Sequence, residues 1–320
     1  MMTIDTDSTG ERVPLYRHTK RTEWGLAILA WEEGDRRGYQ FEDGQLRTFK
    51  EGFYSLLEEV DRPSDQAAAT VATLSRQLGV AQARKAIVEQ AADSGKRVIT
   101  LEDQIKVFNI EYPGGFADPA WLEARGVDVK RRLKKHREPA IEAAAEHFSR
   151  ESLDSYVNAG RFADLHGRIL EVLGTTTLVP PARLKQLQEL DESTYEALGR
   201  SLRDLLWNDD EPYEMRFERF LTAVGSEPSW TLSTSPAALL RPSEHICVRP
   251  SSFRKQAMWM APRLNFVGTP SAKQYVRLLQ MSRSIESKLK DAGLEPRDLM
   301  DIHDFIRQTL RPAAIKLLSS

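Results

Sequence analysis

The sequence has one cysteine, almost no net charge and no long hydrophobic run, and each shortage excludes a class of protein. A single thiol, Cys247, cannot build a disulfide framework or a metal site that needs several thiolates, so we expect a reducing cytoplasm. The 45 Lys and Arg nearly balance the 47 Asp and Glu, so any nucleic-acid surface must be local. No run approaches the ~18 apolar residues of a membrane span, and residues 1–12 are expected to form a disordered tail without a secretory signal.

The overall composition is typical of a globular protein. The chain has 320 residues and 41% hydrophobic content, which is enough for a core in two units. Near Asp61 a pattern typical of strands gives way to an Ala-rich helical pattern. We therefore predict an α+β protein, with a small β-barrel over residues 13–60 and a mainly helical domain over residues 61–320. A sub-boundary is expected near residues 175–182.

Three short segments carry the strand pattern. Leu26–Trp31 is apolar on both faces, and the residues of Gly38–Phe41 and Leu46–Phe49 alternate with a period of two. Asp43-Gly44 between the last two is the strongest short signal for a hairpin. Because sheets this short cannot leave apolar faces open, we expect them to close into a barrel that Phe53–Val60 caps.

The same region resembles the Tudor-like domains of the CarD transcription factors and of UvrD-type helicase tails. The resemblance rests on His18, on Glu23-Trp24-Gly25, on the run from Gln40 to Gly44 and on Arg47-Thr48-Phe49. It covers under a sixth of the chain, and Ala27 stands where the family has a second glycine. The resemblance implies a module that docks onto the β subunit of bacterial RNA polymerase.

The aromatic residues of these strands could serve either a core or a docking surface. Any SH3-like barrel needs a Trp, a Phe and a hairpin Gly for packing, whatever it binds. The residues that we predict to contact a protein partner are Trp24, Trp31, Tyr39, Phe41 and Arg47.

The first helical segments contain a glycine at a suggestive place. Gln66–Leu78 and Val80–Asp93 are predicted to form two helices separated by Gly79. The order is similar to a helix–turn–helix motif, but Lys85 stands where that motif has a buried aliphatic residue. An ordinary helical hairpin is the alternative.

The densest positive charge follows further along the chain. The residues that we predict to contact nucleic acid are Arg125, Lys130, Arg131, Arg132, Lys134, Lys135 and Arg137. On a helix these cations would neutralise phosphates without reading bases. The alternative is a solvated basic helix paired with nearby acids.

Capping signals and prolines divide the rest into helices. The predicted capping pairs are Thr100 with Asp103, Ser193 with Glu196, and Ser271 with Gln274. Pro296 is predicted to start a final helix. The stretch from Trp230 to Pro250 is predicted to hold a second β element, either a single strand or a hairpin, because His245–Arg249 is short, apolar and bounded by prolines.

No common catalytic motif is present, which argues against the common enzyme classes and against a cofactor or a metal. One acidic cluster with a histidine is the weak exception, and it consists of Asp298, Asp301, His303 and Asp304. A nucleophilic pair of Cys247 with His245 is a second exception, although a buried packing cysteine is the default.

The sequence thus predicts a non-enzymatic protein associated with nucleic acid or transcription. Its barrel would dock a protein partner, which the resemblance suggests is RNA polymerase, and its basic helix would contact phosphate. The alternative is an accessory interaction scaffold of a bacterial restriction or phage-defence assembly.

Overall fold

The computed structural model describes residues 13–61, 64–93, 97–123 and 137–318. The chain divides into two compact units between Val98 and Ile99. The described strands all belong to the first unit, and the second unit is helical. The protein is therefore α+β, as predicted. The division differs from the boundary predicted at Asp61, because the helix that follows Asp61 packs on the sheet.

The first unit contains one antiparallel sheet. Its strands are β1 (Leu15–His18), β2 (Leu26–Glu33), β3 (Arg36–Phe41), β4 (Leu46–Lys50) and β5 (Leu57–Val60). The order across the sheet is β4-β3-β2-β1-β5. Short 3₁₀ helices span Thr22–Trp24 and Glu51–Leu56. In the described part of the chain β4 and β5 are the two edges of an open sheet, so the predicted closed barrel is not confirmed.

The predicted hairpin between β3 and β4 is confirmed. The backbone N–H of Phe41 donates to the Gln45 carbonyl at 3.0 Å, and the N–H of Gly44 donates to the Phe41 carbonyl at 3.0 Å. Gly44 has a φ of 84°, which is a conformation that favours glycine. The Asp-Gly signal therefore fixes the register in which Tyr39 faces Arg47.

Each face of this sheet buries a separate set of side chains. One set joins the sheet to α1 (Ser64–Asp93) and comprises Leu15, Leu26, Ile28, Ala67 and Leu74. The other set comprises Ala27, Tyr39, Phe41 and Leu57. Because neighbouring residues of a strand point to opposite faces, β2 can bury apolar side chains on both faces of the sheet.

Helix α1 is one helix of 30 residues. Gly79 lies inside it, so the predicted break into two helices is wrong, and with it both the helix–turn–helix and the hairpin interpretation. A glycine inside a helix costs only about 1 kcal/mol relative to alanine, which the packing of Ala67 and Leu74 on the sheet outweighs.

The described helices of the second unit are α2 to α14. The first six are α2 (Leu101–Glu111), α3 (Pro119–Glu123), α4 (Arg137–His147), α5 (Arg150–Asn158), α6 (Phe162–Gly174) and α7 (Pro181–Gln188). The others are α8 (Tyr195–Trp207), α9 (Tyr213–Val224), α10 (Trp230–Leu240), α11 (Pro250–Met260), α12 (Ala272–Asp291), α13 (Leu299–Thr309) and α14 (Pro312–Lys316). No helix within the described ranges is long and apolar enough to cross a membrane.

One core cluster runs through this unit from Leu101 to Leu310. It includes Val172 and Leu187, so the predicted sub-boundary at residues 175–182 does not separate two cores. Nearly every residue of α13 is buried, the polar ones among them. This helix is therefore the centre of the unit.

The second β element is a wrong prediction. Residues 230–240 form α10, and residues 245–249 are an irregular segment in which Ile246, Cys247 and Val248 are buried. Side chains of the helices form hydrogen bonds with the backbone of this segment, and the Val248 N–H donates to the Thr234 hydroxyl at 2.9 Å. The apolar run was a burial signal, and burial among helices needs no neighbouring strand.

The capping predictions had mixed outcomes. The Thr100–Asp103 capping box is present, and the Ser271 hydroxyl accepts from the Gln274 N–H. The Ser193–Glu196 box is wrong, because α8 follows a 3₁₀ turn and Thr194 makes no side-chain cap. The final segment contains two helices, α13 and α14, and α13 begins after Asp298 rather than at Pro296.

Candidate functional site

The Trp24–Arg47 patch, which consists of Trp24, Arg47 and Asp43, lies at the hairpin end of the sheet. The guanidinium carbon of Arg47 lies 4.0 Å from the centre of the Trp24 ring, in a cation–π contact. Asp43 accepts two hydrogen bonds from Arg47, at 2.9 and 2.7 Å. This is a bidentate pair, and the Arg47 guanidinium that forms it lowers the pKa of Asp43 below its usual value.

The hairpin sequence builds this patch locally. Asp43 and Arg47 are four residues apart across the Asp-Gly turn, and Asp43 also accepts the Gln45 backbone N–H at 3.0 Å. The Arg47 and Asp43 side chains are 24% and 27% exposed, so solvent and a partner can reach them. Arginine and tryptophan are each enriched at protein interfaces, and this patch presents both side by side.

Buried aromatic groups support the Trp24 ring from below. His18 and Phe41 contact it edge-on, with ring centres 4.7 and 5.3 Å away. His18 is buried, its pKa is lowered by that burial, and its Nδ1 accepts the Lys20 N–H at 3.1 Å. A neutral, hydrogen-bonded imidazole therefore packs against the indole that the Arg47 guanidinium covers.

Three of the five predicted partner residues lie outside the Trp24–Arg47 patch. Tyr39 and Phe41 are buried core residues, so they do not form a partner surface. Trp31 pairs with Gly38, which puts it on the opposite face of the sheet from Tyr39. A Cβ atom at Gly38 would lie 2.2 Å from the Trp31 Nε1, which shows how closely the indole covers this glycine.

Strand β4 lies beside the patch and has an unpaired edge within the described residues. Its residues alternate between exposed and partly buried, and Leu46 is an exposed apolar side chain. Phe53, in the 3₁₀ helix that follows β4, is also exposed. The edge of β4 and the Trp24–Arg47 patch together form the candidate docking surface.

The predicted nucleic-acid surface lies outside the described residues, with one exception. Arg125, Lys130, Arg131, Arg132, Lys134 and Lys135 are not among the described residues. Arg137 is described and buried, and its guanidinium pairs with Asp298 and with Glu138. This position does not fit the prediction that Arg137 contacts phosphate. Arg137 instead connects the start of α4 to the start of α13.

The acidic cluster on α13 is part of the helix packing. Asp298 caps α13 by accepting the N–H groups of Met300 and Asp301 at 2.9 and 3.1 Å. The Asp301 carboxylate accepts the Arg297 backbone N–H at 2.8 Å. His303 Nδ1 lies 2.7 Å from the Cys247 carbonyl oxygen. The aspartate contacts order the start of α13, and the His303 contact joins α13 to the segment that holds Cys247.

Cys247 and His245 contact different groups. The Cys247 Sγ lies 3.4 Å from the Ser235 hydroxyl in the core. His245 Nδ1 lies 3.1 Å from the Tyr275 hydroxyl, and burial lowers the pKa of His245 to about 4. His245 is therefore neutral near neutral pH. Burial of the thiol agrees with its expected packing role.

The described residues contain no group of three or more His, Cys, Asp or Glu that could hold a metal ion. Comparison of the chain with protein-family models, with curated proteins and with solved structures finds no match.

Proposed function

We propose that the first unit is an SH3-like docking module that recruits the helical unit to a protein partner. The observation that carries this proposal is the Trp24–Arg47 patch. An arginine that Asp43 already holds over an indole loses little side-chain entropy on binding. Tryptophan and arginine are also the residue types that most often dominate binding energy at interfaces.

The strand order supports an SH3-like arrangement. Four strands follow one another in the sheet, and β5 returns across the 3₁₀ helix Glu51–Leu56 to pair with β1. The aromatic set with Tyr39 and Phe41 lies on the face that a curled sheet would enclose.

We further propose that the partner presents an extended, acidic segment. An edge strand offers backbone N–H and C=O groups to which an added strand can bind. Arg47 and Lys50 on β4 favour a negatively charged segment over a positive one. RNA polymerase is the partner that the resemblance to CarD-type domains suggests, and it is the first to test.

Two tryptophans on opposite faces provide a matched experiment. Purified RNA polymerase is immobilised, and binding of the full chain is compared with that of Trp24→Ala and Trp31→Ala. We expect Trp24→Ala to weaken binding at least about tenfold, because buried interface anchors typically contribute about 2 kcal/mol or more. Trp31→Ala should leave binding unchanged. Equal losses in both variants, or no binding by the wild type, would refute docking of polymerase through this surface.

A charge-reversal pair tests the role of Arg47. Arg47→Glu should weaken binding more than Arg36→Glu, since Arg36 is an exposed cation of β3 outside the patch. Far-ultraviolet circular dichroism and the urea midpoint show whether both variants keep the fold. Equal binding by the two variants would show that net charge, rather than the Trp24–Arg47 patch, attracts the partner.

Contact with nucleic acid is the second part of the proposal. It rests on the charge of the segment from Lys130 to Lys135, where five of six residues are basic. Reversing these five cations to Glu should abolish retention on DNA, and the salt dependence of binding should fall with them. Unchanged retention, or none in the wild type, would remove this part of the proposal.

A further inference from the structure

A small cationic pocket lies in the helical unit, and its lining shares no residue with the Trp24–Arg47 patch or with the acidic cluster on α13. Its cavity volume is about 160 Å³. Four cations and two serines line it: Arg249, Lys255, Arg307, Arg311, Ser251 and Ser252. We call this site the α11 pocket.

Three helices bring these residues together. Arg249 precedes α11, whose first turn holds both serines, and Lys255 follows one turn later. Arg307 comes from α13, and Arg311 precedes α14. The Lys255 Nζ lies 3.5 Å from the Leu310 carbonyl oxygen, which ties α11 to the end of α13. The partial positive charge at the start of an 11-residue helix adds to that of the side chains.

Acidic groups offset only part of this charge. Glu111 pairs with Arg311, and Asp304 acts electrostatically on Arg307, but neither acid lines the cavity. Among the described residues, Arg249 and Lys255 form no ion pair with a carboxylate. Burial, and then the nearby Arg249, lower the pKa of Arg307, which shows that the cations are crowded. Such crowding is relieved by a bound anion.

We propose that the α11 pocket binds a terminal phosphate group, the phosphomonoester dianion of a nucleotide or of a nucleic-acid end. Guanidinium groups match phosphate oxygens with paired hydrogen bonds, and serine hydroxyls and helix N-termini are common further donors. A phosphodiester inside a strand carries one charge and must continue on both sides. A small pocket with four cations suits a dianion that ends a chain. This site goes beyond the proposed function and does not depend on the first unit.

Phosphorylated and unphosphorylated probes test the proposal on the full chain. Calorimetry compares adenosine 5′-monophosphate with adenosine and with inorganic phosphate. Fluorescence anisotropy compares a single-stranded DNA that carries a 5′-phosphate with the same strand that carries a 5′-hydroxyl. Any binding of DNA by segment 130–135 is the same for both strands and cancels, so absence of that binding would not imitate failure of the pocket.

The expected result is at least about tenfold tighter binding of each phosphorylated probe than of its unphosphorylated partner. A larger gain from the 5′-phosphate in the oligonucleotide than in the mononucleotide identifies a nucleic-acid end as the source, and a larger gain in the mononucleotide identifies a nucleotide. Inorganic phosphate that binds as tightly as either one shows that the phosphate group alone is recognised. Equal binding of phosphorylated and unphosphorylated probes would overturn the proposal.

Two neighbouring arginines separate the pocket from general charge. Arg249→Gln should remove most of the preference for the 5′-phosphate. Arg254→Gln is the matched control, because Arg254 lies on α11 outside the pocket, over the Phe266 ring. Lys255→Gln changes a more exposed side chain and should also reduce the preference with the fold intact. Equal preference in Arg249→Gln, Lys255→Gln and Arg254→Gln would overturn the assignment to this pocket.

Discussion

The buried ion pair between Arg137 and Asp298 gives the sharpest prediction about stability. Their side chains are only 7% and 10% exposed, and Arg137 is the cation that compensates the Asp298 carboxylate. Arg137→Met leaves the Asp298 carboxylate buried without its main cation. Removing one member of a buried pair typically costs about 3–5 kcal/mol, and we expect the free energy of unfolding of the helical unit to fall by that amount.

Substitutions of Asp298 separate its charge from its capping role. Asn caps a helix about as well as Asp, so Asp298→Asn removes the ion pair and keeps the bonds to the Met300 and Asp301 N–H groups. Asp298→Ala removes the ion pair and the capping bonds, and it should lower the free energy of unfolding by about 1 kcal/mol more than Asp298→Asn does. Glu138→Gln is the control. Because Glu138 is 51% exposed, its pair with Arg137 should contribute less than about 1 kcal/mol.

Hydrogen exchange, detected by mass spectrometry at increasing urea concentration, measures the loss of stability separately for each unit. Peptides from α4 and α13 report the helical unit, and peptides from β2 and β3 report the sheet. The variants should shift the first set and leave the second unchanged. If Arg137→Met costs no more than Glu138→Gln, the argument from burial is wrong. A double-mutant cycle of Arg137→Met with Asp298→Asn should show a coupling of about 0.5–3 kcal/mol.

Other residues give three further predictions. Unfolded His245 takes up a proton before the folded form does, so stability should fall by about 2 kcal/mol from about pH 7.5 to about pH 5, and His245→Gln should lack that part of the pH dependence in urea melts. Thr100→Ala should destabilise α2 by about 1 kcal/mol, and Thr100→Ser should not, as judged from urea midpoints. Gly38→Ala should cost about 1–3 kcal/mol in thermal melts, and Trp31→Ala should remove most of that cost by vacating the space.

Each of these predictions has a clear contrary result. Equal pH profiles for wild type and His245→Gln would show that other groups cause the acid sensitivity. A Thr100→Ser variant as unstable as Thr100→Ala would assign the loss to packing of the methyl group. No cost for Gly38→Ala would show that the Trp31 ring moves aside freely.

Local signals predicted local structure well. The Asp-Gly pair gave the β3–β4 hairpin, and the Thr100–Asp103 box gave the start of α2. In both cases residues within a few positions supply the hydrogen bonds that define the structure. Contacts with residues distant in the sequence do not decide these two structures.

Predictions that depended on tertiary packing were less successful. Gly79 does not break α1, in which Ala67 and Leu74 pack on the sheet. The apolar run at Ile246–Val248 is buried by helices, so its hydrophobicity did not indicate a strand. A glycine and a short apolar run each permit two structures, and distant contacts decide between them.

The candidate site was predictable in part. Trp24 and Arg47 were expected to contact a partner, and the structure brings them together. Asp43 was missed as part of that patch, although its spacing of four from Arg47 across the turn was a usable signal. The α11 pocket had no such signal. Arg249 and Arg307 come from separate helices, and only the fold makes them neighbours.

The pairing of α2 and α4 with α13 has a consequence for synthesis of the chain. Arg137 and Asp298 are 161 positions apart, and Gln104 and Thr309 are 205 apart. At about 5–20 residues per second, a ribosome needs on the order of ten seconds or more to reach α13 after making α4. During that interval Arg137 and Gln104 have no native partner on α13. We expect the helical unit to complete its fold late, whereas the sheet unit can close as soon as α1 emerges.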